Sequence, residues 1–291
     1  MSDHGTTPTI EPIEPRMLLS ASLVGGTLVV EGTSGSDDIA INSRDGGVTL
    51  RVVVNGERSY FAAGDVSQIQ AFGYRGQDDI EIANIVAIDA MITGDKGNDT
   101  LLGGGGNDSI YGNTGHDSIL GGEGDDRILG LSGEDDLFGE TGDDTILGGT
   151  GDDLIYGDED NDVLNGQDDH DRILGGLGND AILGGDGNDD LFGENGADTI
   201  DGEDGDDDLN GGRGDDDLFG SAGQDFIVGG RDNDVLDGGT NDDTLSDQSG
   251  SDSLYGADGN DTLDALDGDD DDRLLGGPGR DHVFADIGDE P

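Results

Sequence analysis

The sequence predicts an all-β solenoid with a β-rich N-terminal cap, and three observations carry that expectation. From Gly94 to Asp264 one nine-residue phrase recurs nineteen times in unbroken register, and self-similarity at a short fixed period marks stacked, near-identical rungs. Gly121–Leu129 (G-G-E-G-D-D-R-I-L) and Gly211–Phe219 (G-G-R-G-D-D-D-L-F) give its form. With each unit numbered 1 to 9, position 6 is aspartate and position 8 is Leu or Ile in all nineteen. Glycine fills position 1 in every unit except that of Asp247. It fills position 4 in fifteen, the departures being Asp160, Asp169, Asp232 and Asn241.

Each constant position has a physical reading. Glycine at positions 1 and 4 admits positive φ and close backbone approach. The four departures at position 4 are Asp or Asn, the side chains best tolerated in the left-handed region, so a backbone constraint is expected there. Position 8, the one constant apolar position, is expected to face inward. Position 6 sets a carboxylate beside every glycine-rich turn, and calcium, a hard cation, takes roughly six to eight oxygens from carboxylates and carbonyls. The candidate metal-ligating carboxylates are Asp99, Asp108, Asp117, Asp126, Asp135, Asp144, Asp153, Asp162, Asp171, Asp180, Asp189, Asp198, Asp207, Asp216, Asp225, Asp234, Asp243, Asp252 and Asp261, with Asp281 in a later isolated unit. Gly103, Gly121, Gly148, Gly175, Gly184 and Gly211 are the candidate sources of carbonyl ligands.

This phrase resembles the RTX, or haemolysin-type, calcium-binding nonapeptide G-G-x-G-x-D-x-U-x. The resemblance implies a right-handed parallel β-roll. Each unit would give a turn from positions 1–6 and a strand from 7–9, with two units to a circuit. Calcium ions, several per chain, would lie between turns stacked on the same side. Sharing each ion between unit n and unit n+2 gives roughly seventeen sites. Strand spacing predicts a rod about 50 Å long over roughly ten circuits.

Composition frames what such a chain can be. Seventy acidic residues face twelve basic ones, the net charge is −58, glycine numbers 58 and cysteine is absent. Low hydrophobicity with high charge ordinarily means disorder, which is the expectation for this chain without metal. Cation binding changes it, because ions cancel charge and their binding free energy becomes folding free energy. The acidity argues against nucleic acid, which needs a basic footprint. No run of 18 apolar residues occurs, so membrane insertion is not expected.

In chain order, residues 1–26 read as a flexible, export-type leader. Glu14, Pro15, Arg16, Leu18 and Leu19 resemble the LEPR-x-LL leader of some exported or surface bacterial proteins, with Ile13 where that pattern has Leu. Residues 27–93 form the expected cap, grading into the solenoid: Thr27–Glu31, Asp38–Asn42, Val48–Val54 and Arg58–Ala62 read as strands. Asn55-Gly56 is a hairpin signal between the last two. Gly32–Ala40 and Gly73–Glu81 are imperfect units with Asp37 and Asp78 at the ligand position. The roll is expected over 94–284, with two extra residues in Ala265–Leu275 and a restored unit at Gly276–Phe284; 285–291 is an acidic tail.

No catalytic constellation stands out. His4, His116, His170 and His282 make no metal-spaced pair, no H-E-x-x-H occurs, and acid pairs that recur along a rod are poor candidates for a unique active site. The expected function is calcium binding and calcium-dependent folding of a secreted or extracellular acidic module, free or attached to the cell surface, and not an enzyme. The alternative is an accessory part or remnant of an exported hydrolase- or epimerase-type enzyme. Apolar residues at position 9 (Leu102, Tyr111, Leu120, Leu129, Phe138, Leu147, Tyr156) suggest outward ladders for self-association or for a protein or polysaccharide partner.

Overall fold

The computed structural model describes residues 20–266, 268 and 272–285. They form two sheets that the chain visits alternately, one of 14 strands and one of 15. The first sheet opens with β1 (Ser20–Val24), which pairs antiparallel with β2 (Thr27–Glu31). In the second, β3 (Asp38–Arg44), β4 (Thr49–Val54) and β5 (Glu57–Ala62) form an antiparallel meander. Then β6 (Gln68–Arg75) pairs parallel with β2, and β7 (Asp79–Ile82) parallel with β3. With β8 (Ala90–Lys96) and β9 (Thr100–Gly104) the repeat takes over, and every later strand lies parallel to the strand two before it. Ser109 pairs with Arg127 and Ser118 with Asp136, one circuit per two units. The architecture is the expected right-handed parallel β-roll.

The rungs are longer than expected. A typical strand, Ser118–Glu123, runs from positions 7–9 of one unit through positions 1–3 of the next. Only positions 4–6 form the bend, where the expected turn covered 1–6. The strand survives position 1 because both its inward residues stack without crowding: position 8 is aliphatic and position 1 is a buried glycine, while 7 and 9 face outward. Toward the C-terminal end the strands shorten to three residues, as at Val235–Asp237, Thr244–Ser246 and Ser253–Tyr255. Isolated bridges such as Ala222↔Thr240 continue the pairing there.

The core is a single cluster, built from one inward column on each sheet. All nineteen position-8 residues from Leu101 to Leu263 are 0–1% exposed, and they join the buried Ile, Leu and Val of β2–β8 in one cluster. Val283, the position-8 residue of the last strand (His282–Ala285), is 44% exposed because no further described rung covers it.

At the N-terminal end the predicted strands coincide with β2–β5. Asn55 and Gly56 turn the β4–β5 hairpin at φ 49 and 86, as two-residue hairpins require. Two expectations change. Ser20–Val24, assigned to the flexible leader, is a strand closing the edge of the first sheet, one way of protecting an otherwise open edge. Moreover, β2, β6, β8, β3 and β7 are themselves rungs. Setting aside the antiparallel β1, β4 and β5 leaves thirteen parallel strands in each sheet. Twelve steps of about 4.8 Å make a rod about 58 Å long, beyond the expected length of about 50 Å. The leader motif before residue 20, most of the extra-residue run and the acidic tail after Ala285 lie outside the described residues.

Candidate metal centre

The bends form two rows, one at each seam between the sheets. Position 4 has positive φ in fifteen of the nineteen units, including all four non-glycine departures: Asp160 at 79, Asp169 at 80, Asp232 at 78 and Asn241 at 87. Position 2 is also left-handed, in glycine (Gly122, φ 119) and in Leu131, Glu140, Gln167 and Glu203 alike. The expected positive φ at position 1 is absent, and its glycine is required for space instead. A Cβ on Gly121 would stand 2.8 Å from the carbonyl oxygen of Gly139 and closer still to Asp126 Oδ2. The same pair of oxygens, a unit's own aspartate Oδ2 and the carbonyl of the glycine eighteen residues on, lines the space beside Gly130, Gly148, Gly157, Gly175 and Gly193. Each position-1 glycine thus leaves open a cradle that a side chain would fill.

The structure places the sequence-predicted ligands on these cradles. Aspartates 99 through 261 at position 6 are all 0–3% exposed. Their two oxygens differ in role. Oδ1 accepts a backbone N–H from one circuit earlier, that of Ala90 for Asp108 and of an aspartate for the others, as in Asp99 N to Asp117 Oδ1 at 2.8 Å and Asp153 N to Asp171 Oδ1 at 2.8 Å. Oδ2 faces the cradle, buried and without a hydrogen-bond partner, in every one of these nineteen. Of the predicted glycines, Gly121, Gly148, Gly175, Gly184 and Gly211 direct their carbonyls at the cradles of Gly103, Gly130, Gly157, Gly166 and Gly193. Gly103 contributes its own cradle, lined by Gly121 O and Asp108 Oδ2. Asp281 departs from the set: it is only half-buried at the last rung, and its Oδ1 lies 3.3 Å from Asp261 N.

Electrostatics sets the chemical demand. Burial pushes the Asp99 carboxyl up to about 6, that of Asp108 to about 7 and that of Asp171 to about 8, against the hydrogen bonds from backbone N–H that hold each down. Neighbouring aspartates one circuit away raise Asp171 further. The two ion pairs among the described residues, His116–Glu134 and Arg172–Asp190, reach none of these carboxylates. Buried, unpaired, like-charged oxygens with carbonyls beside them are an all-oxygen donor set for a hard cation, and an uncompensated buried charge is otherwise strongly unfavourable. The residues present therefore fit calcium.

Some relevant residues escape the repeat pattern. Asp272 occupies position 6 behind the two extra residues, is 1% exposed and accepts Asp252 N at 2.9 Å. The run Asp269–Asp272 conceals which aspartate holds the register; its spacing two residues before Leu274, matching 6 to 8, was the available signal. Asp37 and Asp78 extend one row into the cap, through Asp37 N to Asp78 Oδ1 at 2.8 Å. Asp37 ends it, bonded by Thr33 N and the Asn55 amide. Position 5 is a second acceptor column: Asn161 Oδ1 takes Asn179 N at 2.9 Å, and His170 Nδ1 takes Asn188 N at 2.7 Å. His116 and His170 belong to that column.

Taken together, the fold and its bends define an acidic β-roll with paired columns of oxygen cradles. Comparison with protein families agrees: the profile of the RTX calcium-binding nonapeptide repeat (4 copies) matches residues 91–119, 111–146, 129–164, 147–182, 183–218, 211–245, 237–271 and 268–290. The chain belongs to this family and is a calcium-binding repeat protein. No curated protein matches it. Among the described residues no helix is long and apolar enough to cross a membrane.

Proposed function

We propose that the protein is an exported acidic module, structural or interactive rather than enzymatic, whose roll is assembled by calcium at or outside the cell surface. The supporting observation is the repeated orphan: Oδ2 of Asp99 through Asp261, buried nineteen times over without a partner. Aspartates at position 6 and carbonyls of position-1 glycines would hold the ions, roughly seventeen if each is shared across one circuit. Bound calcium supplies positive charge to the columns and clamps one rung to the next. The protein's own part is to hold Oδ1 by a backbone N–H, which fixes the carboxylate so that Oδ2 faces the cradle. Affinities of about 10⁻⁴ to 10⁻³ M, usual for extracellular modules, are enough outside cells and leave the chain unloaded within them. Fractionating the producing cells tests the location: recovery in the medium or envelope fraction supports it, and recovery with the soluble cell contents overturns it.

The interaction role draws on the outward face of the second sheet. In register, Leu102, Leu120, Phe138, Tyr156, Leu174 and Phe192 form an unbroken half-exposed ladder. Phe138 and Tyr156 stack at 5.1 Å, and the Arg172 guanidinium lies 4.5 Å over the Phe192 ring. The corresponding ladder of the first sheet is interrupted by Asn165 and Asp201. Self-association through the unbroken ladder predicts that Phe138→Asp with Tyr156→Asp lowers the sedimenting mass in calcium, and an unchanged mass contradicts it.

A further inference from the structure

Three acidic side chains converge at one place among the described residues. Asp234, Asp247 and Asp252 are all buried, and each brings a carboxylate oxygen within 4.8 Å of the others. Asp247 is the one non-glycine at position 1 of the nineteen units. Where other units leave the cradle open, Asp247 Oδ1 enters that of Gly229, beside Asp234 Oδ2. Two backbone groups hold it there: Gly230 N donates to Oδ1 at 3.0 Å and Ser249 N to Oδ2 at 2.9 Å. Asp234 and Asp252 are each 1% exposed, and each has a buried Oδ2 with no hydrogen-bond partner. Acidic clusters are common on this chain. Here, however, unpartnered oxygens are aimed into a pocket that a third carboxylate has been fixed to complete.

We propose that Asp234, Asp247 and Asp252 make of the Gly229 cradle a site that holds one hard divalent cation more tightly than the other cradles do. Charge and preorganisation set the difference. A third carboxylate raises the site's charge, and affinity in such sites rises with ligand charge count and rigidity. Asp247 is already held by two N–H groups, so little ordering is left to be lost on binding. The location gives the site a use. Asp234 and Asp252 precede the paired strands Val235–Asp237 and Ser253–Tyr255, two of the three-residue rungs. A tighter clamp sits where the ladder itself is shortest.

This inference rests on the reading that the bends take calcium, and the experiment separates the two. The full chain, loaded with calcium and shown folded by circular dichroism, is mixed rapidly with a chromophoric chelator and the released ion is counted against time. Wild type is expected to release one ion per chain in a separate phase about ten-fold slower than the rest. Asp247→Gly, which restores the repeat's own residue, and Asp247→Asn, which keeps the shape without the charge, are both expected to lose that phase. Release from wild type in one phase overturns the proposal and leaves the general reading intact. So does survival of the slow phase in Asp247→Gly, or one additional ion bound by that variant, which would mean that Asp247 fills the cradle instead of completing it. A folded wild type that releases no calcium overturns both readings.

Discussion

At the scale of the residue, the position-6 aspartate does two things with two oxygens. Oδ1 accepts a backbone N–H and so belongs to the fold; Oδ2 has no hydrogen-bond partner and, in the function proposed above, is the oxygen offered to the cation. Substitution separates them. Asp171→Asn keeps a carbonyl oxygen for Asp153 N and removes charge, so it should raise the calcium concentration needed for folding while largely retaining stability in saturating calcium. Asp171→Ala also leaves that buried N–H without an acceptor, and should cost about 1–3 kcal/mol more in urea unfolding under saturating calcium. Position 2 gives the reverse case. Leu131 stands at φ 83, a region costly for a side chain by about 1–2 kcal/mol, so Leu131→Gly should be neutral or stabilising in the same unfolding measurement.

Positions 6 and 8 were legible in the sequence because each admits one kind of side chain: a carboxylate, or a Leu/Ile that fills the column. Position 5 was not. Most units place a hydrogen-bond acceptor there, a role that Asn161, Asp143 and His170 all fill though Ala197 does not, so a shared chemistry hides behind apparent variety. Position 1 misled for a related reason, since glycine chosen for the absence of Cβ and glycine chosen for positive φ are written with the same letter. The chirality requirement had moved next door, to Leu131 and Glu140.

At the scale of the element, a rung is a strand of paired backbone bounded by two charged bends, and the bends decide its pH dependence. Without calcium, the folded carboxyl of Asp171 titrates at about 8 against an ordinary value of 3.8, because burial disfavours its charge. Asp99 and Asp108 follow at about 6 and about 7. A folded pKa above the unfolded one means that the folded chain holds protons more tightly. This contribution is complete below about pH 4 and is lost as pH rises through about 6 to 8. In excess chelator the strand signal in circular dichroism should therefore grow on acidification from pH 8 to pH 4, and a flat profile would contradict the burial of these groups. The core gives the second prediction at this scale. Ile155, fully buried between flanking rungs, should cost about 2–5 kcal/mol on truncation to Ala, whereas Val283→Ala at the exposed last strand should cost under about 1 kcal/mol.

The strand type was legible and its length was not. Periodicity marks where the aliphatic residue faces inward at position 8, but glycines at positions 1 and 2 read as turn by propensity. They lie within the ladder because stacking against an identical neighbour pairs their backbone, as at Gly122 with Glu140. The outward ladders were half-visible for another reason. In sequence order, position 9 alternates between two sheets, so the unbroken Leu102-to-Phe192 series of one is interleaved with the interrupted series of the other.

At the scale of the molecule, −58 charges and a core only two side chains across describe a chain that cannot hold itself together by apolar burial alone. The bends from Asp78 to Asp272 repeat the same demand for positive charge, so ion binding and rung stacking should reinforce one another along the rod, as in other stacked-repeat proteins. The most direct test is small-angle X-ray scattering on the full chain, in excess chelator and in millimolar calcium at neutral pH. The account predicts an expanded coil in chelator that compacts in calcium to a narrow rod about 58 Å long; the same rod in both conditions would contradict it.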